Sequence, residues 1–177
     1  KAVTLKVGPT ADGKGSRDVQ VTPLESDIPL RHFAWVTDNR AKVTKMTDGK
    51  VAYIYIPNTH AAGQARFVRE FYAQVGKDGA IIDERYNGGG WLADQVVDHC
   101  IRPIRNYIAG REGDDVVIPR GIFGPKAMII NESAGSGGDY MPYTFREAKA
   151  GKLSGTRTWG GLVGLGGSPP LIDGGTV

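Results

Sequence analysis

The chain has 177 residues, 40% of them hydrophobic and 23% charged, with 22 Lys and Arg against 19 Asp and Glu for a net charge of +3. That length carries one domain with a sizeable core, or a domain plus a piece of another. No run approaches the ~20 apolar residues of a membrane span, and the basic residues are scattered, not gathered into the stripe a nucleic-acid surface needs. Cys100 is the single cysteine, which excludes an internal disulfide and a cysteine-based metal cluster. It follows His99 in a predicted helix and reads as a small buried hydrophobe. The start, Lys1-Ala2-Val3-Thr4-Leu5-Lys6-Val7, is too short and polar for a signal peptide. With no initiating Met, the expectation is a fragment or a processed chain.

Residues 2–7 and 18–21 alternate apolar and polar around a turn-rich loop at 8–15, which predicts a β-hairpin. We take residues 1–24 as a β-rich segment and 25–177 as an α/β core. Two strands alone are marginal in water, so the hairpin is expected to pack on something further. Residues 26–29 connect, and 30–46 fit one short helix or two. Val51-Ala52-Tyr53-Ile54-Tyr55-Ile56, stopped by Pro57, is β-branched and aromatic and predicts a strand. After a loop at 58–63, residues 64–75 place Ala65, Phe67, Val68, Phe71, Tyr72 and Val75 at helical spacing.

A second buried strand is predicted at 80–85, running into Asn87-Gly88-Gly89-Gly90. Residues 91–107 read as a helix broken or kinked at Pro103. A short strand at 116–118, a core strand at 127–130, a helix at 140–150 and a fourth strand at 152–158 complete the pattern. Strand alternating with helix predicts an α/β fold with a mostly parallel sheet, and its site lies outside the carboxyl ends of the strands. Three segments meet there: the loop at 57–63, the glycines at 88–90, and the turn Asn131-Glu132-Ser133-Ala134-Gly135-Ser136-Gly137-Gly138-Asp139.

A strand, a small-residue turn and a helix can present a serine hydroxyl together with the next backbone N–H. Acyl transfer needs both, an exposed nucleophile and donors aimed where negative charge develops. Ser136 is the candidate nucleophile. Gly137 and either Gly88 or Gly89 are the candidate oxyanion donors, since glycine lets the backbone approach a ligand closely. The G-x-S-x-G pattern does not fit, because Ala134 stands at the first glycine position. A Gly/Ser turn without chemistry fits the same residues. No Gly-Lys-Ser/Thr follows Gly90, so a phosphate loop is disfavoured. His60 lies in a site-edge loop, whereas His32 and His99 fall in predicted helices, and three separated histidines make no metal site. Asp139 reads as a first-turn carboxylate favoured by the helix dipole. Asp83 and Arg85 read as a pair holding the glycine turn. Trp91 and Trp159 fit either core or pocket wall.

Ile82-Asp83-Glu84-Arg85-Tyr86-Asn87-Gly88-Gly89-Gly90 resembles the D-x-R-x-N-x-G-G segment of the tail-specific (S41) serine peptidases. Residues 131–139 resemble their nucleophile turn, and Thr156-Arg157-Thr158-Trp159-Gly160-Gly161 the strand and turn that follow. The first fifty residues resemble, more weakly, the exit from a PDZ domain. In the Ser/Lys members a lysine ends a T-F-G-K turn. Here Gly161 takes its place, and Trp159-Gly160-Gly161 is similar instead to the tricorn peptidases. The resemblance implies a ClpP/crotonase-like fold and a serine endopeptidase acting on peptides or unfolded proteins without metal or cofactor. It implies a histidine upstream of Lys1, a glutamate downstream of Val177 and a homo-oligomeric, cytoplasmic protein, with export left open. No nucleic-acid or membrane partner is implied. Two other readings share the pattern: a crotonase-like acyl-CoA enzyme, and a peptide-binding or scaffold module with an idle serine.

Overall fold

The computed structural model describes residues 1–164 and 167–175, and the chain divides into two compact units, 1–38 and 39–177. In the first unit β1 (Val3–Val7) pairs antiparallel with β2 (Arg17–Val21), Leu5 opposite Val19. This is the hairpin the alternation predicts. Helix α1 (Ile28–Met46) is continuous. It starts where Ser26 Oγ accepts the Ile28 N–H at 3.2 Å, and Pro29 stands in its first turn, where no N–H is needed.

The second unit is built on a four-stranded sheet in the order β3–β4–β7–β8, all parallel: β3 (Val51–Tyr55), β4 (Gly79–Asp83), β7 (Lys126–Ile130) and β8 (Lys152–Gly155). Side chains alternate along each strand. Ala52, Ile54, Ala80, Ile82 and Met128 therefore face one way, and they share a core with Phe67 and Phe71 of α2 (Ala61–Tyr72), Val96, Val97 and Cys100 of α3 (Ala93–Ile101), and Met141 and Phe145 of α4 (Gly137–Glu147). On the other face the Tyr53 hydroxyl donates to Asp83 Oδ2 at 2.6 Å, and the Tyr55 hydroxyl to Arg85 O at 3.1 Å. β3 is an edge strand. Its Tyr53 N–H and C=O are both taken by the Gln74 amide at 3.1 Å, which blunts that edge.

The architecture is the α/β arrangement the pattern predicts: a parallel sheet flanked by helices, with an N-terminal antiparallel hairpin. Several boundaries differ, among them β8, which stops at Gly155 and not at 158. The helix predicted over 91–107 ends at Ile101, because Arg102 precedes Pro103 and is held extended (φ −60°, ψ 129°). The chain then forms a second hairpin, β5 (Asn106–Ile108) with β6 (Val116–Ile118). Helices α2 and α4 both start earlier than predicted, because glycines that read as loop sit inside their first turns. Among the described residues no helix is long and apolar enough to cross a membrane.

Candidate active site

The loops at the carboxyl ends of β3, β4 and β7 are knitted together by their own backbones. Gly88 N donates to Pro57 O (3.0 Å) and Thr59 N to Gly89 O (2.8 Å), which fastens the β3 loop to the glycine turn. Gly135 N donates to Asn87 O (3.1 Å), and Tyr86 N to the buried Asn131 Oδ1 (2.9 Å), which fastens the glycine turn to the β7 loop. These backbone groups of the three loops are thus paired with one another, as buried backbone requires. Their relative placement is fixed by short bonds on each side.

Ser136 stands between β7 and α4 with φ 55° and ψ −114°. A non-glycine residue at positive φ stores strain and persists only where its surroundings over-determine it. The surroundings are tight. A Cβ added to Gly89 (φ 84°) would lie 2.7 Å from Ser136 Cβ, and one added to Gly137 would meet Gly90 O at 2.3 Å and Thr59 Oγ1 at 2.4 Å. Only glycine allows these backbones to approach the serine. The Gly137 N–H opens the helix and has no intrahelical acceptor.

Ser136 and Gly137 line a cavity of about 510 Å³ together with His60, Gly88, Trp91 and Tyr140. The structure therefore brings the four sequence-derived site residues, Ser136, Gly137, Gly88 and Gly89, to one place. It also shows that two of the candidate donors are engaged: Gly88 N by Pro57 O, and Gly89 N by Asn87 Oδ1 at 2.8 Å. His60 shares the cavity. His99 does not line it; it lies edge-on to Phe67, Phe71 and Tyr72, with Nδ1 2.7 Å from Gln95 O, and burial lowers its pKa. His32 belongs to the first unit, beside Trp35. Trp91 is 87% and Trp159 70% exposed, so neither is core. Trp91 is cavity wall, and Trp159 covers Gly135, where an added Cβ would meet its ring at 2.7 Å. Among the described residues no three His, Cys, Asp or Glu side chains group as metal ligands.

The carboxylates around the turn divide by face. Asp83, fully buried, is bound by Arg85 through Nε (2.9 Å) and a terminal nitrogen (2.6 Å), besides Tyr53. This is the pair expected to brace the glycine turn. The next residue, Glu84, points to the opposite side. It is fully buried and neither oxygen has a hydrogen-bond partner among the described residues. Burial first, and then the charges of Asp139 and Asp83, push its pKa up to about 9, so it is a neutral acid at pH 7. The sequence offered one unread signal: strand alternation past Asp83 turns Glu84 inward. Thr59 was missed too. It is buried, its Oγ1 unpartnered among the described residues, and it packs against Gly137. A threonine in a loop carries no such mark.

The model of peptidase family S41 matches residues 50–177, and the chain belongs to that family. It is 36% identical to the tricorn protease of Thermoplasma volcanium, over 92% of this chain and 17% of that protein. It is 34% identical to tricorn protease homolog 1 of Streptomyces coelicolor, over 98% of this chain and 16% of that one. A crystal structure of the tricorn protease superposes with a TM-score of 0.78 at 36% identity, covering 90% of this chain and 16% of that chain. The chain thus spans about a sixth of the length of these relatives.

Proposed function

We propose that the chain is the nucleophile-bearing part of a serine peptidase that cleaves peptides or unfolded proteins through an acyl-enzyme on Ser136. The observation that carries this is the strained Ser136 lining the cavity, with the Gly137 N–H beside it, which has no acceptor among the described residues. Ser136 Oγ attacks the peptide carbonyl and its proton passes to a base, which returns it to the leaving amine; water then hydrolyses the ester. The Gly137 N–H receives the oxyanion, a contribution on the order of 3 kcal/mol. The second donor comes from the 88–90 turn. Gly89 suits this role better than Gly88, because its N–H is held by a side chain, Asn87 Oδ1, and not by backbone.

The base is a histidine outside residues 1–177, as the resemblance to the tricorn peptidases implies, and the working protein is a cytoplasmic homo-oligomer. A second reading makes His60 the base, since it lines the same cavity. Treatment of the full-length protein with a fluorophosphonate tests the proposal: the label should map to Ser136 and vanish, with peptidase activity, in Ser136→Ala. Absence of label would favour a peptide-binding module with an idle serine.

A further inference from the structure

Asp139 is the third residue of α4, where a carboxylate reaching back to the N-cap N–H is a common helix start. Here its Oδ2 accepts from Ser136 N at 2.9 Å. A cap needs nothing more, yet this carboxylate takes two further backbone donors from more than twenty residues on. Gly160 N donates to Oδ1 at 2.7 Å and Gly161 N to Oδ2 at 2.9 Å. All three bonds are charge-assisted and short. The same stretch is fastened again one residue earlier, where Trp159 N donates to Ala134 O at 2.9 Å. Directly beyond Gly161, Leu162, Val163 and Gly164 line the same cavity as Ser136. One carboxylate thus holds the backbone of the strained serine and the root of the wall against which a substrate would lie.

Building on the peptidase reading, we propose that Asp139 is a positioning residue, a clamp that keeps Ser136 and the 159–164 arm in one register. It touches no reacting atom. Replacing it with asparagine keeps the size and one acceptor oxygen but turns an NH2 group toward an amide N–H. At least one of the three bonds is then lost and the arm is freed from the turn.

The test uses the full-length protein with Asp139→Asn. Fluorophosphonate labelling of Ser136 should slow by about ten-fold or more, part of the roughly hundred-fold that a displacement on the order of 1 Å at a reacting centre can cost. KM for a peptide substrate should rise as well, and trypsin should cut faster after the exposed Arg157. Labelling at the wild-type rate would overturn the proposal. So would slowed labelling with unchanged KM and unchanged cleavage at Arg157, the signature of a plain helix cap. Should Asp139→Asn fail to fold, Asp139→Glu keeps the charge and the helix-start preference but displaces the carboxylate. Slowed labelling with faster cleavage at Arg157 supports the clamp there too, and wild-type values of both overturn it. An unlabelled wild type would sink the peptidase reading alone, because cleavage at Arg157 reports the clamp independently of chemistry.

Discussion

The α-carbon of Gly89 lies so close under Ser136 that a methyl group on it would stand 2.7 Å from the serine Cβ and 3.0 Å from Gly137 N. Gly88, one residue earlier, has open space, its nearest neighbour Pro57 O at 4.0 Å. The two glycines therefore answer the same substitution differently. Gly89→Ala must move the nucleophile and also forces alanine to φ 84°, a left-handed conformation costing roughly 1–2 kcal/mol. We expect it to lower Ser136 labelling by about a hundred-fold, and Gly88→Ala by only a few-fold. Parallel labelling time courses decide this, and equal effects would remove the close approach from the account.

His60 and Ser136 border the same cavity, which makes the histidine the obvious internal rival for the base. Its backbone N–H bonds to Asn58 Oδ1 at 3.1 Å at the start of α2, a role that any residue could fill. With the base supplied from outside residues 1–177, His60→Ala in the full-length protein should change kcat by no more than a few-fold. A serine peptidase stripped of its base loses several orders of magnitude. A fall of that size, measured on a peptide substrate, would transfer the role to His60.

Much of this arrangement could be read before any coordinates. The strands at 51–56, 80–85 and 127–130 announce themselves by β-branched and aromatic runs, and Phe67 and Phe71 by helical spacing, because burial and periodicity are local signals. The glycine turn and Ser136 stand out because close backbone approach leaves glycine as the only tolerated residue. What stayed illegible is the bonding between turns. Nothing in Asp139 alone announces Gly160 and Gly161, and nothing in Asn87 announces that its side chain holds the Gly89 N–H. Of the hairpin after Pro103 the strand at 116–118 was legible, but its partner at 106–108 was read as the end of a helix, because three residues are too few for a period to register.

Asp83 carries a charge with no exposed surface, and Arg85 is its cationic partner, joined through two nitrogens. Removing the Arg85 side chain leaves a buried carboxylate with, among the described residues, the Tyr53 hydroxyl and the residue-85 backbone N–H to answer it. Such a loss costs about 3–5 kcal/mol. Arg85→Ala should lower the chemical denaturation free energy by that order, and the double variant Asp83→Asn/Arg85→Ala should recover part of it. If the double variant is no more stable than the single one, the uncompensated charge is not the cause.

Glu84 predicts a pH dependence whose sign is opposite to that of an ion-paired carboxylate. Folding raises its pKa from the ordinary 4.5 to about 9, through burial and the neighbouring charges of Asp139 and Asp83. Between those values the folded chain holds a proton that the unfolded chain has released. Stability then falls as pH rises, by up to about 1.4 kcal/mol per pH unit for one such group. The contribution is full below the unfolded pKa and is lost as pH climbs through the folded one. Glu84→Gln keeps the shape and has no proton to lose, so its unfolding free energy should lack this slope. The variant should be as stable as the wild type, or slightly less, near pH 5, and more stable by several kcal/mol near pH 8. Every other titrating group is common to both proteins, so the difference between their denaturation curves at matched pH isolates Glu84. A difference that stays constant from pH ~5 to ~9 would mean that the acid is not held protonated under the nucleophile turn.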